Sequence, residues 1–269
     1  MPAFWAGLAF AQNMVGNGSF ESFISIPNGS GQVTEAIGWK SSGGSPDYLH
    51  QAATVMSGVN IPFTFAGEIS GAYEGTACAG ICSYMDGWAN YREYLSYKLD
   101  TNMIAGKWYE VSFYCLSNPT PLNYGGLSTD NFGAALSKQK LHKSSDGIIH
   151  YSAQCIETDP FYAFGWKKLS FQFLADSNYK FITIGCFADD SVQQRHTIAN
   201  ATLFQSVYTF IDNVSVKPVI GPSTTATEEI VFNKELPTTY TDILGRPASY
   251  RKGLLIAHQG KKSFKLFVQ

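Results

Sequence analysis

The chain has 269 residues, 45% of them hydrophobic and only 15% charged, so material for a packed core is ample. Aromatics reach 14% and glycines number 25, a mix that suits half-buried pleated surfaces joined by tight turns. The net charge of −2 argues against nucleic acid as the main partner, because phosphate-binding faces leave a basic excess. Residues 1–11 (MPAFWAGLAFA) are apolar throughout and end on Ala9-Phe10-Ala11, an A-x-A cleavage pattern. They read as the apolar part of a secretory signal peptide without its basic n-region, and they are too short to span a bilayer. No other segment approaches 18 apolar residues, so no transmembrane segment is expected.

From residue 12 to 217 no stretch carries a convincing helical period, whereas period-2 runs recur. The clearest are 108–115 (WYEVSFYC), 168–174 (KLSFQFL), 181–187 (FITIGCF) and 208–216 (YTFIDNVSV); weaker ones cover 70–82, 94–99 and 132–137. Many strands without intervening helices predict an all-β sandwich or jelly roll. In the last run, alternation places Asp212 on one face with Phe210, Val214 and Val216, pointing into the core. A carboxylate there must be ion-paired, hydrogen-bonded or metal-bound. Of the five cysteines, Cys115 and Cys186 fall in apolar strands and read as buried small hydrophobes. Cys78 and Cys82 lie four apart on one strand and point the same way without meeting, and no His stands near them at zinc-ligand spacing.

The motifs Asn17-Gly18-Ser19-Phe20-Glu21, Ala105-Gly106-Lys107-Trp108-Tyr109-Glu110-Val111-Ser112-Phe113 and Ile211-Asp212-Asn213-Val214-Ser215-Val216 follow one another in a recognisable order. Residues 13–217 thereby resemble the galactose-binding-like jelly roll of family 4, 9 and 22 carbohydrate-binding modules. The resemblance implies a structural calcium ion held by Glu21 and Asp212, with backbone carbonyls completing an all-oxygen shell. Asn213 stands where a second Asp is often found. Sugar recognition needs aromatic faces beside amide and carboxylate groups. Trp39, Tyr48, Trp88 and Tyr91, near Asp47, Asn90 and Arg92, are the candidates. Trp39 and Tyr91 read equally well as core aromatics, and Asp47 with Arg92 as a buried pair tying two loops. Residues 45–50 and 90–94 also resemble surface proteins of gliding and gut Bacteroidetes.

Residues 217–227 (KPVIGPSTTAT) are rich in Pro, Gly, Ser and Thr, so a linker is placed at 218–230. From 231 onward seven basic residues face two acidic ones, a composition shift that marks a separate unit at 231–269. Strands are expected near 229–232, 239–244, 253–258 and 263–268. The succession Asp242-Ile243-Leu244-Gly245-Arg246, Lys252-Gly253-Leu254-Leu255-Ile256 and Lys265-Leu266-Phe267-Val268 resembles the type A C-terminal sorting domain of type IX secretion. That likeness implies a small β-sandwich-type unit read by the type IX secretion machinery, and a protein released or held at the outer surface.

Catalytic motifs are lacking: there is no G-x-S-x-G, H-E-x-x-H or P-loop, and the five histidines show no metal spacing. Asp189-Asp190 reads as a solvated loop pair, and His50, beside Asp47 and Tyr48, is the one histidine of interest. The combined expectation is a secreted, non-enzymatic carbohydrate-binding protein whose partner is a glycan. A structural or adhesive surface protein that binds protein or matrix is the alternative, and a glycan-acting hydrolase or lyase the third reading.

Overall fold

The computed structural model describes residues 12–117, 121–160, 165–221, 238–241, 246–248, 253–259 and 262–268. The signal-peptide reading at 1–11, the strand expected near 229–232 and residues 242–245 of the tail motif lie outside them. By contacts the chain divides into one unit ending at Gly221 and a second from Pro222 onward.

In chain order the strands of the first unit are β1 (Trp39–Gly43), β2 (Asp47–His50), β3 (Phe63–Thr64), β4 (Gly67–Glu68), β5 (Ala77–Met85), β6 (Tyr94–Lys98), β7 (Trp108–Ser117), β8 (Tyr124–Thr129), β9 (Phe132–Ser137), β10 (Cys155–Glu157), β11 (Lys167–Leu174), β12 (Phe181–Cys186), β13 (Arg195–Thr197) and β14 (Phe204–Val219). The alternating runs at 108–115, 168–174 and 208–216 become β7, β11 and β14, neighbours in one sheet of order β11-β7-β14-β5-β2. β8 adds to β14 in parallel and carries β13. The opposing sheet runs β1-β6-β12-β9-β10. The chain is thus an all-β sandwich of the jelly-roll kind, with short 3-10 turns as the only helical elements among the described residues. Among the described residues no helix is long and apolar enough to cross a membrane.

Period 2 decides where the core sits. Ala77, Ala79 and Ile81 of β5, Val111, Phe113 and Cys115 of β7, and Ile211 of β14 face Trp39, Leu95, Phe132, Leu136, Ile182 and Ile184 of the other sheet. The intervening residues Cys78, Cys82, Leu116, Tyr208 and Phe210 are also buried, in a second cluster with Leu49, Val59, Ile61, Ala66 and Ile69. The loop between β2 and β5 therefore covers the outer face of this sheet, which explains why its strands are apolar on both sides.

The expected facing of Asp212 is corrected here. Ile211 packs into the inter-sheet core and Phe210 into the outer cluster, so of Phe210, Val214 and Val216 only Phe210 shares the face of Asp212. The register of β14 against β7 shifts between Asp212 and Ser215, and Asn213 adopts φ 48°. This bulge reverses the alternation, so Val214 and Val216 turn inward while Asp212 points outward beneath the 73–77 segment. An Asn tolerates the left-handed conformation better than a β-branched residue would. The strand also runs on to Val219, paired with Trp108, two residues beyond the Lys217 boundary.

All five cysteines are buried and free. Burial pushes every thiol up, Cys155 to about 12. A thiol-specific chromogenic reagent should find no reactive cysteine in the native protein at pH 8 and all five after denaturation. A fast-reacting native thiol would contradict the packing described.

In the second unit β15 (Thr238–Thr241), β16 (Gly253–Gln259) and β17 (Lys262–Val268) form an antiparallel sheet of order β15-β16-β17. The strands expected near 239–244, 253–258 and 263–268 fall on these three. Ala257 is buried, and the Thr241 hydroxyl bonds His258 Nε2 at 2.9 Å.

Candidate functional site

The outer face of the larger sheet holds a cavity of about 350 Å³. β2 contributes Asp47, β5 Cys82 and Met85, β14 Tyr208, β8 Tyr124, and the segment entering β6 Tyr91 and Glu93. Phe65 and three serines, Ser30, Ser45 and Ser57, close it from the loops. The volume lies in the range of small-molecule sites.

A glycine makes the acidic wall possible. Gly80 of β5 lies opposite Asp47 of β2 and Phe210 of β14. A Cβ there would overlap the Tyr208 hydroxyl, so only glycine lets that side chain cross β5. Tyr208 Oη then donates to Asp47 Oδ2 at 2.6 Å, and Gly31 N donates to Oδ1 at 2.6 Å. Glu93 is held from four sides: Ser45 N (3.0 Å), Ser45 Oγ (2.9 Å) and Tyr91 Oη (3.3 Å) donate to Oε1, and Cys82 N (2.8 Å) donates to Oε2. Asp47 and Glu93 are 2% and 3% exposed. Burial, reinforced by the Glu93 charge, raises the Asp47 carboxyl to about 7 despite the bonds from Tyr208 and Gly31. Burial and Glu93 likewise push up the Tyr91 phenol. Among the described residues no Lys, Arg or His lines the cavity.

Of the candidates read from the sequence, Asp47 and Tyr91 meet in this cavity. The others lie elsewhere. Trp39 is fully buried, stacked on Phe20 at 4.6 Å, with its indole N–H donating to Asn17 O at 2.8 Å. Tyr48 is buried too, its hydroxyl bonded to Phe20 O at 3.0 Å. Both are core residues with no face left for a ligand. Trp88 is 58% exposed in the turn after β5, outside the cavity lining. Arg92 is fully buried and pairs with Asp190 at 2.9 Å, so the pairing with Asp47 is corrected. Neighbouring residues 91, 92 and 93 cannot all face one way on extended backbone. Tyr91 and Glu93 turn to the cavity and Arg92 turns to the loop at 188–193. His50 is buried, and its Nδ1 accepts from Ala52 N at 2.9 Å, a turn contact.

A second pair of carboxylates, Glu21 and Asp212, holds the 74–77 segment. Glu21 accepts from Thr76 N (2.8 Å), Ala77 N (2.9 Å) and Thr76 Oγ1 (2.9 Å). Asp212 accepts from Glu74 N (2.9 Å) and Asn213 N (2.6 Å). Burial raises Asp212 to about 7, and the nearby Glu21 charge adds to the rise. Every donor to the pair is neutral, and among the described residues no Lys or Arg is within ion-pair range of either carboxylate. An oxygen-liganded cation suits such a pair. Among the described residues no three His, Cys, Asp or Glu side chains are grouped as ligands, so backbone carbonyls would have to complete the shell.

No family model matches the sequence, and no curated protein does. Solved structures similar to the chain include a CBM22-1 xylan-binding domain from Paenibacillus barcinonensis, at 13% identity and TM-score 0.40 over 76% of this chain and 94% of that one. A cleaved adhesin domain of Lys-gingipain from Porphyromonas gingivalis is 14% identical, with TM-score 0.38 over 75% of this chain and 96% of its own. The enzymatically active domain of tailspike protein 4 from bacteriophage CBA120 is 9% identical, with TM-score 0.40 over 77% of this chain. The chain spans only 21% of that tailspike domain's length. At these identities no residue correspondence follows.

Proposed function

We propose that the protein is a secreted carbohydrate-binding protein whose sugar site is the cavity between Asp47, Tyr91, Glu93 and Tyr208. One observation carries the reading: carboxylates, serine hydroxyls and aromatic rings converge on a cavity of about 350 Å³. Rings pack against the apolar face of a pyranose, and Asp47 keeps lone pairs free to accept sugar hydroxyls. Calcium held by Glu21 and Asp212 belongs to the same reading, supplying positive charge to two carboxylates that lack it. These residues would fix the 73–77 segment onto β14 at the sheet's outer face. The basic tail unit, with its ordered motifs, supports export by the type IX machinery to the outer surface.

Binding of the calcium-loaded protein to a glycan array tests the reading. Affinity for the best glycan should fall at least tenfold in Tyr91→Ala and in Asp47→Asn, and stay within twofold in Trp88→Ala. Binding to no glycan at all would end the proposal and leave adhesion to protein or matrix. A hydrolase reading has one specific observation in its favour. A carboxyl near 7 beside a second carboxylate is the arrangement of a general acid with its partner. Release of new reducing ends from the bound glycan, lost in Glu93→Gln, would establish it over simple binding.

A further inference from the structure

We infer that the cavity selects a hexosamine, a sugar whose ring carries a free primary ammonium, over neutral and N-acylated sugars. This rests on the carbohydrate reading of the same cavity and names its ligand class.

The argument begins with charge. Two carboxylates, each at least nine-tenths buried, open into one cavity that no Lys, Arg or His lines among the described residues. The guanidinium next in the chain, Arg92, is committed to Asp190, Ala188 O and Tyr91 O. Lys143 Nζ bonds the Arg92 carbonyl at 3.4 Å, and among the described residues it pairs with neither Asp47 nor Glu93. Buried like charges held close together call for a counter-charge or a proton.

Hydrogen-bond capacity points to where that counter-charge would sit. Glu93 accepts four neutral donors, three on Oε1 and one on Oε2, which occupies most of its acceptor sites without cancelling its charge. Asp47 accepts two neutral donors, Gly31 N and Tyr208 Oη, and keeps about two of its four acceptor sites free. A sugar hydroxyl could occupy those sites but would leave the charge standing. An ammonium does both, with the shorter and stronger bonds of a charge-assisted pair.

The remaining walls agree with a cation on a sugar ring. Phe65, Tyr91, Tyr124 and Tyr208 line them, and aromatic rings attract an ammonium through their quadrupoles. Phe65 stands edge-on to both Tyr124 (5.7 Å) and Tyr208 (5.3 Å), which holds the cluster rigid. Ser30 and Ser45 line the cavity as well, and Ser45 Oγ, whose proton goes to Glu93, keeps its lone pairs for a sugar hydroxyl, a contact superfluous for a bare alkylammonium. N-acylation removes the charge and adds bulk at the same atom.

NMR titration of the full chain, in calcium at pH 7.0, decides the matter. The ligands are the methyl glycosides of glucosamine and galactosamine, their N-acetylated counterparts, the parent neutral hexosides, and 1,5-diaminopentane. At least one free amine sugar should bind tenfold or more tighter than its acetylated and neutral forms, and tighter than the diamine. Asp47→Asn should erase that preference while the neutral hexosides still bind. Because the charge is removed from the ligand in one arm, the comparison stands even if the variant fails to fold. Equal binding of amine and neutral sugars overturns the inference and leaves carbohydrate binding intact. Diamine binding as tight as the sugar's overturns the sugar ring as the recognised body. Failure of every sugar here, with no glycan bound on an array, removes both readings.

Discussion

Chelating calcium with EDTA at pH 7.5 is expected to lower the melting temperature of the first unit by about 10 °C. A ligand present at a thousandfold excess over its dissociation constant contributes about 4 kcal/mol, and each kcal/mol moves a domain of this size by about 2–4 °C. The source is the Glu21–Asp212 pair, whose donors are all neutral and whose charges repel once the cation is gone. A pH dependence accompanies the effect. Without calcium the Asp212 carboxyl stands near 7 in the folded chain against 3.8 as a free side chain. The folded state then binds more protons than the unfolded state across that window, so stability falls as pH rises from about 4 through 7. Asp47, also near 7, adds a fall of the same sign in both conditions and cancels from the comparison. The EDTA effect should therefore be largest at pH 7.5 and shrink at pH 5, where a proton replaces the ion. Calorimetric melts at both pH values, with calcium and with EDTA, measure it. Coincident melts at pH 7.5 would sink the calcium site.

Replacing Arg92 by alanine is expected to destabilise the protein by about 3–5 kcal/mol, the usual result of emptying a large buried site and stranding its hydrogen-bond partners; the Asp190 end of the pair is partly exposed and adds little. Arg92 is fully buried and joins two loops across the fold. Its Nη2 meets Asp190 Oδ1 at 2.9 Å and Ala188 O at 2.8 Å, and its Nη1 meets Tyr91 O at 2.9 Å. Alanine would strand both carbonyls and leave a cavity the size of the side chain. Asn90 and Asp190 would still bridge the loops by their own bonds of 2.7 and 3.0 Å, so the chain should fold with a lowered urea midpoint. Lysine should recover little, because a single ammonium cannot reproduce the planar fork. Urea melts decide this, and a loss under 1 kcal/mol would mean that Arg92 carries no structural load. A ligand-binding role for Arg92 is a different expectation: normal stability with lost binding.

Much of the fold was legible in the amino-acid order because period 2 survives wherever a strand has one buried face. The runs at 108–115, 168–174 and 181–187 became β7, β11 and β12 with small changes at their ends. Short strands were less legible. β2, β3, β4 and β13 span two to four residues and carry no period long enough to read. The bulge at Asn213 was hidden as well, because nothing in the local alternation announces an extra residue. The candidate site was legible in two of its members, Asp47 and Tyr91, which stand in polar-aromatic loop segments. Glu93, two residues on, carries no signal in the sequence that sets it apart from a solvated loop acid. Tyr208 sits in a strand run where it reads as core, and it meets Asp47 across 161 positions of sequence.

What the sequence by itself determined is the all-β class, the change of composition near the end of β14, and the residue types able to bind sugar or calcium. These follow from side-chain chemistry and spacing, which are local properties. What only the tertiary structure decided is which of those residues face one another. Strand order placed β2, β5 and β14 side by side, and Gly80 opened the gap through which Tyr208 reaches Asp47. Extended backbone then sent Arg92 one way and Tyr91 and Glu93 the other. Trp39 and Tyr48 went to the core for the same physical reason: large rings are most stable where they exclude the most water, and alternation pointed them inward.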